Sequence, residues 1–241
     1  MDWGRAKSVL IFAFLLLNLV LGYQLWSNIR EGLRTSANVS DLSPEAQALM
    51  EEKKIKLGSA GIPSETPELR DLTYRIKTKL GQGERHELKK PVDSKVVFDS
   101  KELKESLGGI IPELGNYALG AVYENEFILY RMAEGRPMFD VKLELFYNNS
   151  NQKIIAYKQD LIELLPSQDA ASQSVLSATK VVTSLIENQL RNGAVIEEIK
   201  LGYHGQIFDS DIQVSAPTWR VLLEDGGQYY MNAISGEFVT E

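Results

Sequence analysis

The sequence predicts an α+β protein in which a single N-terminal transmembrane helix is followed by an ectodomain of antiparallel sheets, each covered by a helix, in two similar subdomains. Three observations carry this expectation. Residues 8–26 form an uncharged apolar run, and Phe139, Val141, Leu143, Leu145 and Tyr147 alternate with polar residues at the period of a half-buried strand. Further on, Val175, Ala178, Val182, Leu185, Ile186 and Leu190 recur at helical spacings of three and four.

The run SVLIFAFLLLNLVLGYQLW, about nineteen residues at 1.5 Å each, matches a hydrocarbon core roughly 30 Å thick. Arg5 and Lys7 precede it, and Tyr23 and Trp26 close it as interfacial aromatics. A signal peptidase needs small side chains where GYQLW offers mostly large ones, so the segment reads as retained. A buried core helix is the alternative, and an all-round apolar run at the start of a chain fits lipid better. Arg5 and Lys7 nearly balance Arg30 and Arg34. The short head at 1–7 therefore decides the orientation, with the N-terminus cytoplasmic and the C-terminal ectodomain extracellular.

Lys and Arg number 26 against 33 Asp and Glu, a net charge of −7. The first 26 residues hold Asp2, Arg5 and Lys7, so the ectodomain is more acidic still and nucleic acid is excluded as a partner. The lack of cysteine rules out disulfides and zinc–thiolate sites. About 215 residues remain for one large or two small cores.

Residues 27–42 read as a juxtamembrane linker or a frayed extension of the anchor, and 43–115 as an N-terminal ectodomain part. Ser43-Pro44-Glu45 marks a helix start with Ser43 as N-cap, running to about Lys54. Ile55 to Leu57 and Leu72 to Ile76 come next as strands. Residues 81–95 are charged and apolar-poor, which predicts a surface loop. Lys95 to Phe98 is expected as a strand, and Ser100 caps a helix to Leu107 that Gly108-Gly109 ends. The C-terminal part, 116–241, is expected as an antiparallel α+β region. Its strands are Tyr117 to Tyr123, Glu126 to Met132, Met138 to Tyr147 and Lys153 to Leu164. A helix from about Ser172 to Arg191 is stopped by Gly193. Strands at Val195 to Tyr203, Pro217 to Leu223 and Gln228 to Ile234 complete it, the last two joined at Asp225-Gly226, and the helix is expected to cover them.

No catalytic, cofactor-binding or metal constellation emerges. His86, within Glu84-Arg85-His86-Glu87, lies in a soft charged segment, and His204 reads as an ordinary exposed histidine. The acid pairs Glu51-Glu52, Glu197-Glu198 and Glu224-Asp225 are sequence neighbours; on a strand such neighbours point to opposite faces, and Glu224-Asp225 sits at the expected turn. Gly81-Gln82-Gly83 lacks the context of a phosphate loop. The residue that asks for an explanation is Asn18, an amide in the middle of the apolar run. Helical periodicity places it on one face with Ile11, Leu15 and Gly22, a candidate partner face in the membrane, while the alternative is a bond to its own backbone.

Met1-Asp2-Trp3, the basic Arg5 and Lys7, and IFAFLLLNLVLGYQLW together resemble the YycI family of Gram-positive bacteria. LSPEAQALMEEKKIKL with Ile62-Pro63, and Pro217-Thr218-Trp219-Arg220-Val221 with the run from Tyr229 to Glu237, look like that family's first helix and closing strands. From about residue 172 the chain is also similar to PepSY-type domains. The resemblance implies a regulatory subunit rather than an enzyme, without cofactor. Such a protein is anchored in the lipid bilayer, works with a YycH-like protein, and modulates the WalK (YycG) sensor histidine kinase through transmembrane contacts, and so affects cell-wall metabolism. A membrane-tethered PepSY-like protease inhibitor and a wall-active enzyme are the competing expectations.

Overall fold

The computed structural model describes Phe14, Asn18 and residues 36–37, 39–58, 61–78, 80–166 and 171–239. In chain order the elements are β1 Ser36–Ala37, α1 Pro44–Glu52, β2 Lys56–Leu57, β3 Ile62–Pro63, β4 Glu68–Leu69, β5 Leu72–Ile76 and β6 His86–Asp93. Next come α2 Ser100–Leu107, β7 Tyr117–Val122, β8 Glu126–Ala133, β9 Arg136–Asn148, β10 Lys153–Gln159, β11 Ile162–Leu164 and β12 Gln173–Ser174. The last are α3 Ala178–Asn188, β13 Val195–His204, β14 Ile212–Leu223, β15 Gln228–Asn232 and β16 Phe238–Val239. The fold is mixed α+β, dominated by sheet with few helices.

The chain divides into two compact units, residues 1–65 with 177–197 and residues 66–176 with 198–241. In the first, the Ser43 hydroxyl accepts from the Ala46 amide and Pro44 occupies the first turn of α1, where a missing N–H is harmless. The helix ends at Glu52, two residues before the expected Lys54, because Lys54 takes a left-handed conformation at φ 55°. Ala46 and Met50 of α1 are buried, as are Val182, Leu185 and Ile186 of α3, which packs on α1 and β3. Covering each large aliphatic side chain contributes about 1.5–3 kcal/mol. Lys53 Nζ donates to the Ile186 carbonyl at 2.6 Å, placing a cation on the carbonyl end of α3. β1 pairs with β3, and β2 runs parallel to the start of β13.

The second unit is built on a sheet in which β9 pairs antiparallel with both β8 and β10, and β14 pairs antiparallel with β5 and β15. Burial alternates along β9 from Val141 to Leu145 as expected. Phe139 is buried on the same period but joins a different cluster. The β8–β9 register slips between Tyr130 and Arg131, and Phe139 packs with Tyr130 and Tyr230 instead of joining Leu143 and Leu145. Helix α2 covers part of this sheet, with Leu103 and Leu107 packing among Leu129, Leu143 and Ile154.

Several expectations are corrected. Residues 81–95 are not all loop, since His86–Asp93 is a strand pairing with β10. Only Leu88 of it is buried, so the alternation that identifies a strand is missing, and Lys89, Lys90 and Pro91 suit an edge. Lys95 to Phe98 lies in a 3-10 helix, Ser94–Phe98, because the Asp93 carboxylate accepts from the Lys95 amide. Asp99, rather than Ser100, caps α2 by accepting from the Lys101 and Glu102 amides. Lys153 to Leu164 breaks into β10 and β11 around Asp160. The helix expected at 172–191 is shorter. Val175 and Leu190 are buried in its flanks, and Ser177 caps Ala178–Asn188. That helix belongs to the first unit with α1, so it packs there on helix and short strand, and the two units are unlike each other.

Candidate functional site

The loop 205–211, Gly-Gln-Ile-Phe-Asp-Ser-Asp, links β13 to β14 in the second unit and is braced from both sides. On its first leg, Asp140 from β9 accepts from the Gly205 amide at 3.0 Å, and its other oxygen lies 2.6 Å from His204 Nδ1. A carboxylate against Nδ1 makes that nitrogen the donor and fixes the orientation of the ring. His204 is 7% exposed and stacks on Tyr230 with centroids 4.1 Å apart. Gly205 has no substitute there, since a Cβ would lie 2.3 Å from the Val214 carbonyl oxygen.

The second leg is held by Gln213. Alternation along β14 exposes Ile212 and Val214 and buries Gln213 and Ser215. Gln213 spends its amide on the loop, accepting from the Phe208 amide at 3.0 Å and donating to the carbonyls of Phe208, at 2.7 Å, and Ser210. The braced loop therefore holds Ile207, 57% exposed, and Phe208, 62% exposed, in solvent beside Asp209 and Asp211. A cleft of about 450 Å³ on one side of the tip is lined by Ile76, Leu80, Phe208, Asp209 and Asp211. Another of about 410 Å³ is lined by Asp140, His204, Gln206, Phe208 and Val239.

Elsewhere in the same unit lies Arg220, 3% exposed. It donates to the Tyr130 hydroxyl at 2.8 Å and to Glu198 at 2.5 Å, with its guanidinium 4.4 Å from the Phe139 ring centroid. Burial works against its charge, and Tyr130 and Glu198 outweigh that and raise its pKa. Asp160, 3% exposed, accepts from the Gly81 and Lys142 amides, and the Tyr117 hydroxyl donates to its carbonyl. Burial pushes the Asp160 carboxyl up although both backbone bonds favour the anion, and it pushes the Tyr117 hydroxyl to about 12. These groups brace the break between β10 and β11.

Chemically, His204 and Asp140 form the orienting half of an acid–base pair, but the described lining of their cleft contains no hydroxyl or thiol for it to activate. The arrangement is suited to recognition by an apolar tip and two carboxylates.

Of the proposed membrane face, Ile11, Leu15 and Gly22 lie outside the described residues, as does the apolar run 8–26 apart from Phe14 and Asn18. Among the described residues no helix is long and apolar enough to cross a membrane. Asn18 and Phe14 are helical, and Asn18 Nδ2 donates to the Phe14 carbonyl at 2.8 Å, the bond to its own backbone that the sequence left open. His86 lies on edge strand β6 with its ring 5.1 Å from that of Tyr157. Among the described residues no group of three or more His, Asp and Glu is arranged to hold a metal. Glu198 reaches Arg220 while Glu197 is exposed, so this acid pair splits across the strand. His204 is the correction. It is buried rather than exposed, and its partner stands 64 residues away in sequence. Sequence reasoning missed the loop as well, for which the adjacent Ile207 and Phe208 in an otherwise polar turn were the available signal.

No curated protein matches the chain. Among solved structures, a crystal structure of an uncharacterized protein from Eubacterium rectale is similar at 12% identity with a TM-score of 0.34. The match covers 55% of this chain and 46% of that one, so the chain spans under half of its length. The family model described as YycI protein matches residues 34–234. That span takes in most of the chain, which belongs to the YycI family, associated with the YycG/WalK two-component regulatory system.

Proposed function

We propose that this protein is a membrane-anchored regulator with an extracellular C-terminal part, and that it modulates the WalK (YycG) sensor kinase together with a YycH-like protein. Residues 8–26 form the anchor, and the face containing Ile11, Leu15, Asn18 and Gly22 meets transmembrane helices of the partners. The observation that carries this reading is the family match over residues 34–234. Helical geometry at Phe14 and Asn18 supports it. The bond from Asn18 to Phe14 engages one N–H of an amide that has a second N–H and an acceptor oxygen, so the same side chain can stabilise its own helix and still meet a neighbour.

A regulator shifts a kinase only if it binds the two signalling states with different affinity. A difference of about 1–3 kcal/mol between helix arrangements gives roughly 5-fold to 150-fold coupling. The test is a WalK-dependent promoter reporter in cells carrying the wild-type protein, Asn18→Leu, or a version whose residues 8–26 are replaced by an unrelated transmembrane helix, at matched abundance. Loss of modulation on replacement, with a several-fold weakening in Asn18→Leu, is expected. Full modulation with the foreign helix would move the working surface out of the membrane.

A further inference from the structure

We infer that the loop 205–211 docks a segment of a protein partner in which large apolar side chains stand next to lysine or arginine. The inference does not depend on the anchor or on the kinase reading. Its first ground is exposure. Ile207 and Phe208 are more than half exposed, and Ile212 and Val214 on the adjoining β14 are 48% and 47% exposed, so adjoining stretches of one chain segment leave large apolar side chains uncovered. Two clefts flank the tip, of about 450 and 410 Å³, each with room for side chains of leucine or phenylalanine size.

The second ground is preorganisation. An exposed loop with an apolar tip would ordinarily collapse or move, and this one is held by Asp140 at His204 and Gly205 and by Gln213 at Phe208 and Ser210. Gln213 is 1% exposed and directs its whole amide to that task. A partner therefore meets Phe208 already fixed in place, and little ordering entropy opposes association.

The third ground is charge, which selects the occupant. Asp209 and Asp211 are exposed, and among the described residues neither has an ion-pair partner. The nearby cation Arg75, whose backbone is in register with Ile212, is engaged by Glu163 at 3.4 Å. The tip thus presents apolar surface in a negative field, which attracts a basic partner and repels an anionic bilayer.

The test uses full-length protein in zwitterionic lipid nanodiscs and three labelled peptides followed by fluorescence anisotropy, with empty nanodiscs as blank. The peptides are Lys-Leu-Phe-Lys-Leu-Phe-Lys, its counterpart with glutamate for lysine, and Lys-Gly-Ser-Lys-Gly-Ser-Lys. Wild type is expected to bind the first at least tenfold more tightly than either other. Phe208→Ser, at an exposed position that leaves the unfolding midpoint unchanged, abolishes that preference. The double variant Asp209→Asn with Asp211→Asn weakens binding at least fivefold and flattens its dependence on salt. Binding by Phe208→Ser within twofold of wild type overturns the inference, as does equal binding of the acidic peptide or no binding of any peptide at millimolar concentration. Phe208-dependent association with phosphatidylglycerol vesicles, without peptide preference, overturns it in favour of a membrane contact.

Discussion

Replacing Arg220 separates charge from packing in the second unit. The guanidinium is 3% exposed, donates to Tyr130 and Glu198, and lies over the Phe139 ring, while its Nε has no hydrogen-bond partner among the described residues. Hydrogen bonds to a charged group are worth about 1.5–3 kcal/mol and a stacked cation about 0.5–2. The side chain of Glu198 is 32% exposed, so it rehydrates when abandoned and its share falls to the low end. With the cavity left by the missing alkyl chain, Arg220→Ala should destabilise by about 3 kcal/mol. Arg220→Met fills the same space without burying an unpaired Nε and should lose only about 1 kcal/mol. In urea unfolding of the full-length protein, followed by far-ultraviolet circular dichroism, a loss of about 3 kcal/mol lowers the midpoint by about 1 M or more. An alanine variant within about 0.5 kcal/mol of wild type would refute the packing argument, since that is the range of ordinary surface changes. A methionine variant as unstable as the alanine one would show that the charge, not the volume, carries the stability.

Gly202→Ala should destabilise by about 3 kcal/mol or more, because a Cβ would stand 2.4 Å from the Pro137 carbonyl oxygen and 2.6 Å from the Phe139 ring. Gly109→Ala, whose added Cβ would meet nothing within 4 Å, should stay within about 0.5 kcal/mol in the same urea unfolding series. Burial raises the Tyr74 and Tyr117 hydroxyls from 10.0 to about 12, so the folded state keeps protons that the unfolded chain releases. Stability is therefore complete below pH 10 and falls as pH rises towards about 12. Phenolate absorbance and urea midpoints from pH 9 upwards should show the fall, and Tyr117→Phe should reduce it. Gln213→Ala should speed amide hydrogen exchange at residues 206–211 at least tenfold while the amides of β9 change little, and uniform exchange across both would contradict the bracing role.

How far the sequence could be read depended on the range of the forces involved. The β14–β15 hairpin was legible because Asp225-Gly226 sits where the chain must turn, and Gly226 does adopt φ 85°. The start of α1 was legible because Ser43 and Pro44 act within one turn. β6 was not, since an edge strand with Leu88 as its single buried residue has no alternation to display. Burial at Val175 and Leu190 extended the helical period past the true ends of α3, because buried flanks look the same as buried helix. The pairing of Asp140 with His204 depends on two strands brought together across 64 residues, and no local spacing encodes it. Gln213 was hidden for a related reason. Its alternation predicts an inward side chain, and only the loop above it explains why that side chain is polar.

The pairing of Ser36 and Ala37 with Pro63 and Ile62 sets the length of a leash. Nine residues, 27–35, separate Trp26 from Ser36, and fully drawn out they reach about 30 Å at roughly 3.4 Å each. With residues 8–26 in a bilayer as proposed, β1 never stands farther from the membrane surface than that. With the anchor so placed, tension on it would reach the described fold first at β1 and its two paired residues in β3. Ten glycine and serine residues inserted after Arg30 would raise that limit to about 65 Å at roughly 3.4 Å each.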